Sequence, residues 1–217
     1  MASYRYISQA EMDRITSTIL VKKNLMPTID KISRVNIDYL IEFEYDLYIA
    51  WKDLDYLSDD DNEVLAAIHP QSKMILMNET KKNLFEEKIG TMNFSKAHEL
   101  GHWVLHVTEE KNDEQLFFTD NDKFYCRSRF KNNPIEIQAN MFAASLLMPK
   151  KLIQDYINNL KSYKHLSFAD LYDFKDKLEV SISALVRRIK DLELLHITTD
   201  GEIYHCIDEM SGQLKIF

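Results

Sequence analysis

The chain has 217 residues, of which 45% are hydrophobic and 11% aromatic, so it is long and apolar enough to bury one substantial core. Its formal net charge of -8 disfavours nucleic acid binding unless a local basic patch opposes that charge. The two cysteines, Cys126 and Cys206, are far apart and form no CxxC pattern, which argues against a disulfide framework or a cysteine-based zinc knuckle.

The amino terminus lacks the basic and apolar segments of a signal peptide. No run of about eighteen apolar residues occurs along the chain, so the sequence predicts no membrane span. We therefore expect a cytoplasmic protein.

The chain is predicted to begin with a helix. Ser8 and Glu11 have the spacing of a capping box, apolar residues follow at helical intervals, and Pro27 closes the segment. A second helical stretch is expected over about residues 37–45.

A small antiparallel sheet is predicted next. The β-rich segment 46–51 indicates a strand, and the segments 64–70 and 74–78 flank a turn in the pattern of a β-hairpin. This sheet comes directly before the segment that contains two candidate metal ligands and the candidate general base.

That segment is "FSKAHELGHWVLH", residues 94–106. On an α-helix, His98 and His102 lie on one face about 6 Å apart along the axis, so both imidazoles can reach one zinc ion. Glu99 is rotated by about 100° from His98, beside the metal position, where a general base for the attacking water is needed. The alternative is an amphipathic helix whose histidines only pack in the core.

A third histidine, His106, extends the same face. It lies about 12 Å along the axis from His98, too far for both residues to bind one zinc ion on an unbroken helix. We interpret His106 as a residue that supports the site or packs in the core.

Residues 108–133 are polar and irregular, and a second important helix follows them in "NNPIEIQANMFAASLLMP". Asn133 is a suitable cap, Pro134 suits the first helical position and Pro149 ends the helix. Because two histidines leave a catalytic zinc site short of a protein ligand, Glu136 is the candidate third ligand, and Asn140 is available to orient a ligand histidine. Glu136 can alternatively close a capping box.

The two motifs, "FSKAHELGHWVLH" and "IEIQANMFAASLLMP", resemble the ImmA/IrrE family of metallopeptidases over roughly residues 29–203. The resemblance implies an α+β fold with a thermolysin-like (gluzincin) core, with His98, His102 and Glu136 as zinc ligands and Glu99 as the base. It also implies cleavage of a helix-turn-helix transcriptional repressor of a prophage, mobile element or stress regulon.

The carboxy-terminal part is predicted to be mostly helical. Helices are expected over 150–160, 168–178 and 182–192, with Asp200-Gly201 as the turn of a final hairpin. We expect a metallopeptidase domain over 1–160 and a helix-turn-helix-like unit with a hairpin over 161–217, packed on that domain.

Arg187, Arg188 and Lys190 in this unit raise the possibility of DNA recognition. Acidic residues of the same helices offset them, so we favour a packing or partner-binding role, and direct DNA binding is not expected.

Two other roles compete with the peptidase: a zinc-stabilised regulator that sequesters a repressor without cutting it, and a DNA-binding regulator. For the peptidase, Tyr125, His165 and Tyr156 are candidates for stabilising the oxyanion, and the sequence does not select among them.

Overall fold

The computed structural model describes residues 5–58, 63–107, 133–163, 167–198 and 202–204. Within these ranges the fold is α+β, with helices packed around a small sheet. Several residues singled out above lie outside the described residues: Cys126, Cys206, Tyr125, His165, the Asp200-Gly201 turn and almost all of the polar segment 108–133.

The α-helices of the described part follow the predicted order, except for one short helix, Lys82–Glu87, which was not predicted. They are α1 (Gln9–Lys22), α2 (Ile37–Tyr39), α3 (Lys82–Glu87), α4 (Ile89–His106), α5 (Pro134–Leu147), α6 (Lys150–Tyr163), α7 (Phe168–Leu178) and α8 (Ile182–Asp191). A π-helical turn over Leu40–Glu44 continues α2.

Side-chain caps explain where several of these helices begin. Ser8 accepts a hydrogen bond from the Glu11 backbone N–H at the start of α1, which is the Ser8 half of the predicted capping box. Asn36 caps α2 in the same way, and Ser181 caps α8. At the start of α5, Asn133 accepts from the backbone N–H of Ile135.

The sheet before α4 is mixed, so the prediction of an antiparallel sheet is wrong for one of its two pairings. Its strands are β1 (Tyr48–Lys52), β2 (Ala66–His69) and β3 (Met74–Asn78), in the spatial order β1-β3-β2. The predicted hairpin of β2 and β3 is confirmed, whereas β1 pairs with β3 in parallel. The buried, apolar β3 takes the centre, since that position covers both of its hydrogen-bonding edges.

The connection between α7 and α8 packs directly on the beginning of α4. At Gly90, an added Cβ atom would lie 2.5 Å from the carbonyl carbon of Val180, so only glycine permits this approach. Asn93 donates to the carbonyl oxygen of Glu179 at 3.1 Å, and Arg34 pairs with the Glu179 carboxylate at 2.6 Å. The turn after α7 is therefore tied to the helix that carries the histidines.

One hydrophobic cluster connects most of the elements described above. It extends from Met12 in α1 to Ile197 in β4 (His196–Ile197), the strand that pairs antiparallel with β5 (Ile203–Tyr204). The division into 1–160 and 161–217 stays a prediction, as do the thermolysin-like core and the helix-turn-helix likeness. Of the helices in the described ranges, none is long and apolar enough to cross a membrane.

Candidate metal centre

The two histidines of the HExxH motif meet on the buried face of α4. His98 and His102 are one helical turn apart, and both side chains are almost completely buried. Their rings are nearly perpendicular, with centroids 4.7 Å apart, and their Nε2 atoms are 3.0 Å apart. The helix therefore directs both nitrogens towards one point, as the spacing predicted.

Glu136, from the first turn of α5, faces the same point. Its Oε2 atom lies 3.1 Å from His98 Nε2, and its Oε1 atom lies 3.3 Å from His102 Nε2. The cap at this helix start is made by Asn133, while the Glu136 carboxylate is directed at the histidines. The structure therefore favours the ligand interpretation of Glu136 over the capping-box alternative.

Asn140 determines which nitrogen of His98 carries the proton. The Asn140 Oδ1 atom lies 3.1 Å from His98 Nδ1, and a carbonyl oxygen only accepts hydrogen bonds. His98 Nδ1 is therefore the donor, and in the neutral ring Nε2 presents its lone pair to Glu136 and His102. This is the tautomer in which His98 can bind a metal ion through Nε2.

The donor set fits a metal ion. His98, His102 and Glu136 each offer one ligand atom, and these atoms all lie within 4.8 Å of one another. Tetrahedral ligands at about 2.0–2.2 Å from zinc are separated by roughly 3.3–3.5 Å, close to the separations of 3.0, 3.1 and 3.3 Å observed here. Two histidines and one glutamate also form one of the usual protein ligand sets of catalytic zinc.

The charge of Glu136 suits a metal ligand. Burial disfavours its ionised form, but the adjacent His102 and His98 outweigh burial and lower the Glu136 pKa to about 2. The carboxylate is therefore negative at neutral pH, as a ligand to a divalent cation must be.

Glu99 and His106 occupy the same helix as the histidine pair. Glu99 directly follows His98 and is only 2% exposed, so its carboxylate is held in the interior. The His106 ring lies 5.7 Å from that of His102, outside the three-residue cluster. Burial, followed by the neighbouring His102, lowers the His106 pKa to about 4, so His106 is neutral at neutral pH.

A sequence model of the IrrE N-terminal-like domain, Peptidase M78, matches residues 52–190, which is more than half of the chain. The chain belongs to this family of metallopeptidases. The matched M78 region contains β2, β3, both histidines, Glu99 and Glu136. No curated protein matches the chain closely enough to extend the comparison.

Tyr156, one of the three oxyanion candidates, packs between α6 and α7. Its ring stacks on Phe174 with centroids 3.8 Å apart, and its hydroxyl donates to the carbonyl oxygen of Asp170 at 3.0 Å. Burial, with the nearby Asp170 and Asp173, raises the Tyr156 pKa to about 12. This placement commits the hydroxyl to the packing of two helices.

Lys96 supports the metal helix in a way that sequence reasoning missed. Its side chain is only 6% exposed, and its ammonium group pairs at 2.7 Å with Asp38 of α2. The signal in the sequence was a lysine on the face of the helix that also carries Asn93 and Leu100, which are buried. This pair anchors α4 to α2 two residues before His98.

We expect Asn140→Leu to lower the affinity for zinc by about tenfold. This is the lower end of the range for residues that orient a metal ligand, and we choose it because Asn140 is exposed. The substitution removes the acceptor that holds the His98 tautomer. Competition with a chelator measures the affinity. Asn140→Asp is the control, since it keeps an acceptor oxygen and should keep the affinity; equal zinc binding by Asn140→Leu and the wild type would contradict the role of Asn140.

Proposed function

We propose that the protein is a zinc-dependent endopeptidase, and that its substrate is a specific helix-turn-helix repressor protein. The observation that carries the proposal is the convergence of His98, His102 and Glu136 on one point in an M78 domain, where Glu99, the residue after His98, is also buried. Two helices that only packed against each other in the core would have no need to direct three donor atoms at one point.

His98, His102 and Glu136 would hold the zinc ion in this reaction. When bound, zinc supplies a Lewis acid that polarises the scissile carbonyl and makes a water molecule acidic. Glu99 takes one proton from the attacking water as that water adds to the carbonyl carbon. Glu99 then returns the proton to the amine nitrogen as the carbon–nitrogen bond breaks, which leaves one amine and one carboxylic acid, and the acid ionises at neutral pH.

The interior of the site favours this proton transfer. A carboxylate that is 2% exposed is shielded from bulk water, and the adjacent His98 is held by Asn140 in one orientation. The catalytic glutamate and the metal ligand next to it therefore have fixed relative positions on α4. A fixed geometry of this kind lowers the entropic cost of reaching the transition state.

Arg188 argues against DNA as the ligand of the carboxy-terminal helices. It was one of three basic side chains counted for phosphate contact, yet it is only 1% exposed and pairs with Asp13 in the interior. Arg187, which is exposed, pairs with Asp191 on its own helix. Because Arg188 is buried, it cannot contact a phosphate group. This supports a protein partner for this acidic chain over a nucleic acid.

The proposal is tested by zinc content and peptide cleavage. Elemental analysis of the purified protein should find about one zinc ion per chain. Incubation with a library of peptides derived from helix-turn-helix repressors, read by mass spectrometry, should give cleavage products that disappear when a chelator removes the metal and return when zinc is restored. A folded wild type that takes up no zinc contradicts the proposal.

A further inference from the structure

Helix α1 packs on the side of α5 that faces away from the metal centre. On α5, Gln138 and Ser145 lie close to 180° around the helix axis from Glu136. Gln138 donates to the carbonyl oxygen of Arg5 at 2.7 Å, and Gln9 of α1 donates to Ser145 Oγ at 3.0 Å. The amino-terminal segment thus holds α5 from behind while Glu136 points forward.

The same contact continues inward to a buried ion pair. Gln9 Nε2 lies 3.3 Å from Oδ1 of Asp13, which is one turn further along α1. Asp13 pairs with the guanidinium of Arg188 from α8, and Arg188 Nε donates to the carbonyl oxygen of Met148 at 3.2 Å. We call Gln9, Asp13 and Arg188 the α1–α8 brace.

The brace has a geometric role beyond its effect on stability. The side chains of Asp13 and Arg188 are 9% and 1% exposed, and the desolvation of such a pair offsets much of its electrostatic attraction. The rigid guanidinium, however, donates to acceptors from two different segments, Asp13 and Met148, in one fixed arrangement. The pair therefore determines how α1, the end of α5 and α8 are spaced.

Metal binding is sensitive to that spacing. Glu136 must approach His98 and His102 of α4 to complete the donor set, and metal–ligand distances are acceptable only within about 0.2 Å of their usual values. A small displacement of α5 away from α4 would move the carboxylate out of that range. α5 is held between the two helices, with α4 in front and α1 behind.

We propose that Gln9, Asp13 and Arg188 are positioning residues for the metal ligand Glu136, an inference that rests on the proposed metal function. α1 lies outside residues 52–190, which match the family model. The segment before the M78 domain therefore contributes to zinc affinity, although none of its residues belongs to the three-residue donor cluster.

The test compares zinc affinity in two brace variants and one matched control. Asp13→Asn removes the charge that Arg188 faces, and Gln9→Met removes two hydrogen bonds without leaving a buried charge unpaired. The control, Val64→Ala, shortens a fully buried side chain in the separate small cluster of Leu54, Val64, Ala67 and Leu76, so it lowers stability away from α5. Chelator competition on the folded fraction gives the zinc dissociation constant.

We expect zinc binding to weaken by about tenfold in Asp13→Asn and by a smaller factor in Gln9→Met, with no change in Val64→Ala. In the metal-free protein, hydrogen exchange of the α5 amides should become faster in the brace variants than in the control. Gln9→Met decides the question if Asp13→Asn does not fold.

Two adverse outcomes are distinguishable. If the wild type binds zinc and the brace variants bind it equally tightly, the positioning role is overturned while the proposed function stands. If the wild type itself binds no zinc, the proposed function fails and the positioning role fails with it, whatever hydrogen exchange reports about α5.

Discussion

Glu99→Gln should reduce peptide cleavage by a factor of about 10² to 10⁴, the usual contribution of a positioned general base, while zinc binding is retained. Glutamine has nearly the same shape but cannot take a proton from the attacking water. Glu99 is not one of the three clustered donors, so the metal set stays complete. Initial cleavage rates and zinc content, measured on the same preparation, check both halves of this expectation.

Glu86→Gln is the matched control for this variant. Glu86 is an exposed residue of α3, so the same chemical change on the surface should alter neither rate nor zinc content. Cleavage by Glu99→Gln at the wild-type rate would show that the base has been assigned wrongly. Relief of repression by stoichiometric amounts of Glu99→Gln would favour the competing role, a zinc-stabilised regulator that sequesters a repressor.

Glu136→Ala should weaken zinc binding by more than about 100-fold, beyond the range typical of groups that only orient a ligand. It removes the one carboxylate of the three-donor cluster, whose low pKa of about 2 keeps it charged at neutral pH. Without it, only the two histidines of the cluster would remain to hold a divalent cation. Chelator competition at neutral pH measures the loss.

The fold of this variant should remain intact, since Asn133 caps the start of α5. Circular dichroism of the metal-free protein checks the helix content. The charge-matched control is Glu86→Ala on the surface of α3, which should bind zinc as the wild type does. Wild-type affinity in Glu136→Ala would mean that Glu136 is not a ligand and that another residue supplies the third donor.

The sequence predicted the parts of the site that depend on residues close together in the chain. His98 and His102 share a helix face because they are four residues apart, and this relation holds in any α-helix. The boundaries of α5 followed from Asn133, Pro134 and Pro149, since caps and prolines act within one helical turn. Glu136 was predicted by combining a missing ligand with a second motif, and the role of Glu99 was predicted from its place next to His98 on the helix.

The parts that were missed depend on residues far apart in the chain. Lys96 meets Asp38 across 58 positions, and Arg188 meets Asp13 across 175 positions, so neither partner is visible from local periodicity. For this reason Arg188 was counted as a surface charge, although it is buried.

The sequence by itself determined the α+β class, the hairpin of β2 and β3, the histidine helix and the identity of the three donors, because hydrophobic period, capping and ligand spacing operate over a few residues. Only the tertiary structure decided that β1 joins β3 in parallel, that Gly90 admits the α7–α8 turn and that α1 holds α5 from behind. These features arise from packing between distant segments, where burial and close contact, rather than local preference, set the free energy.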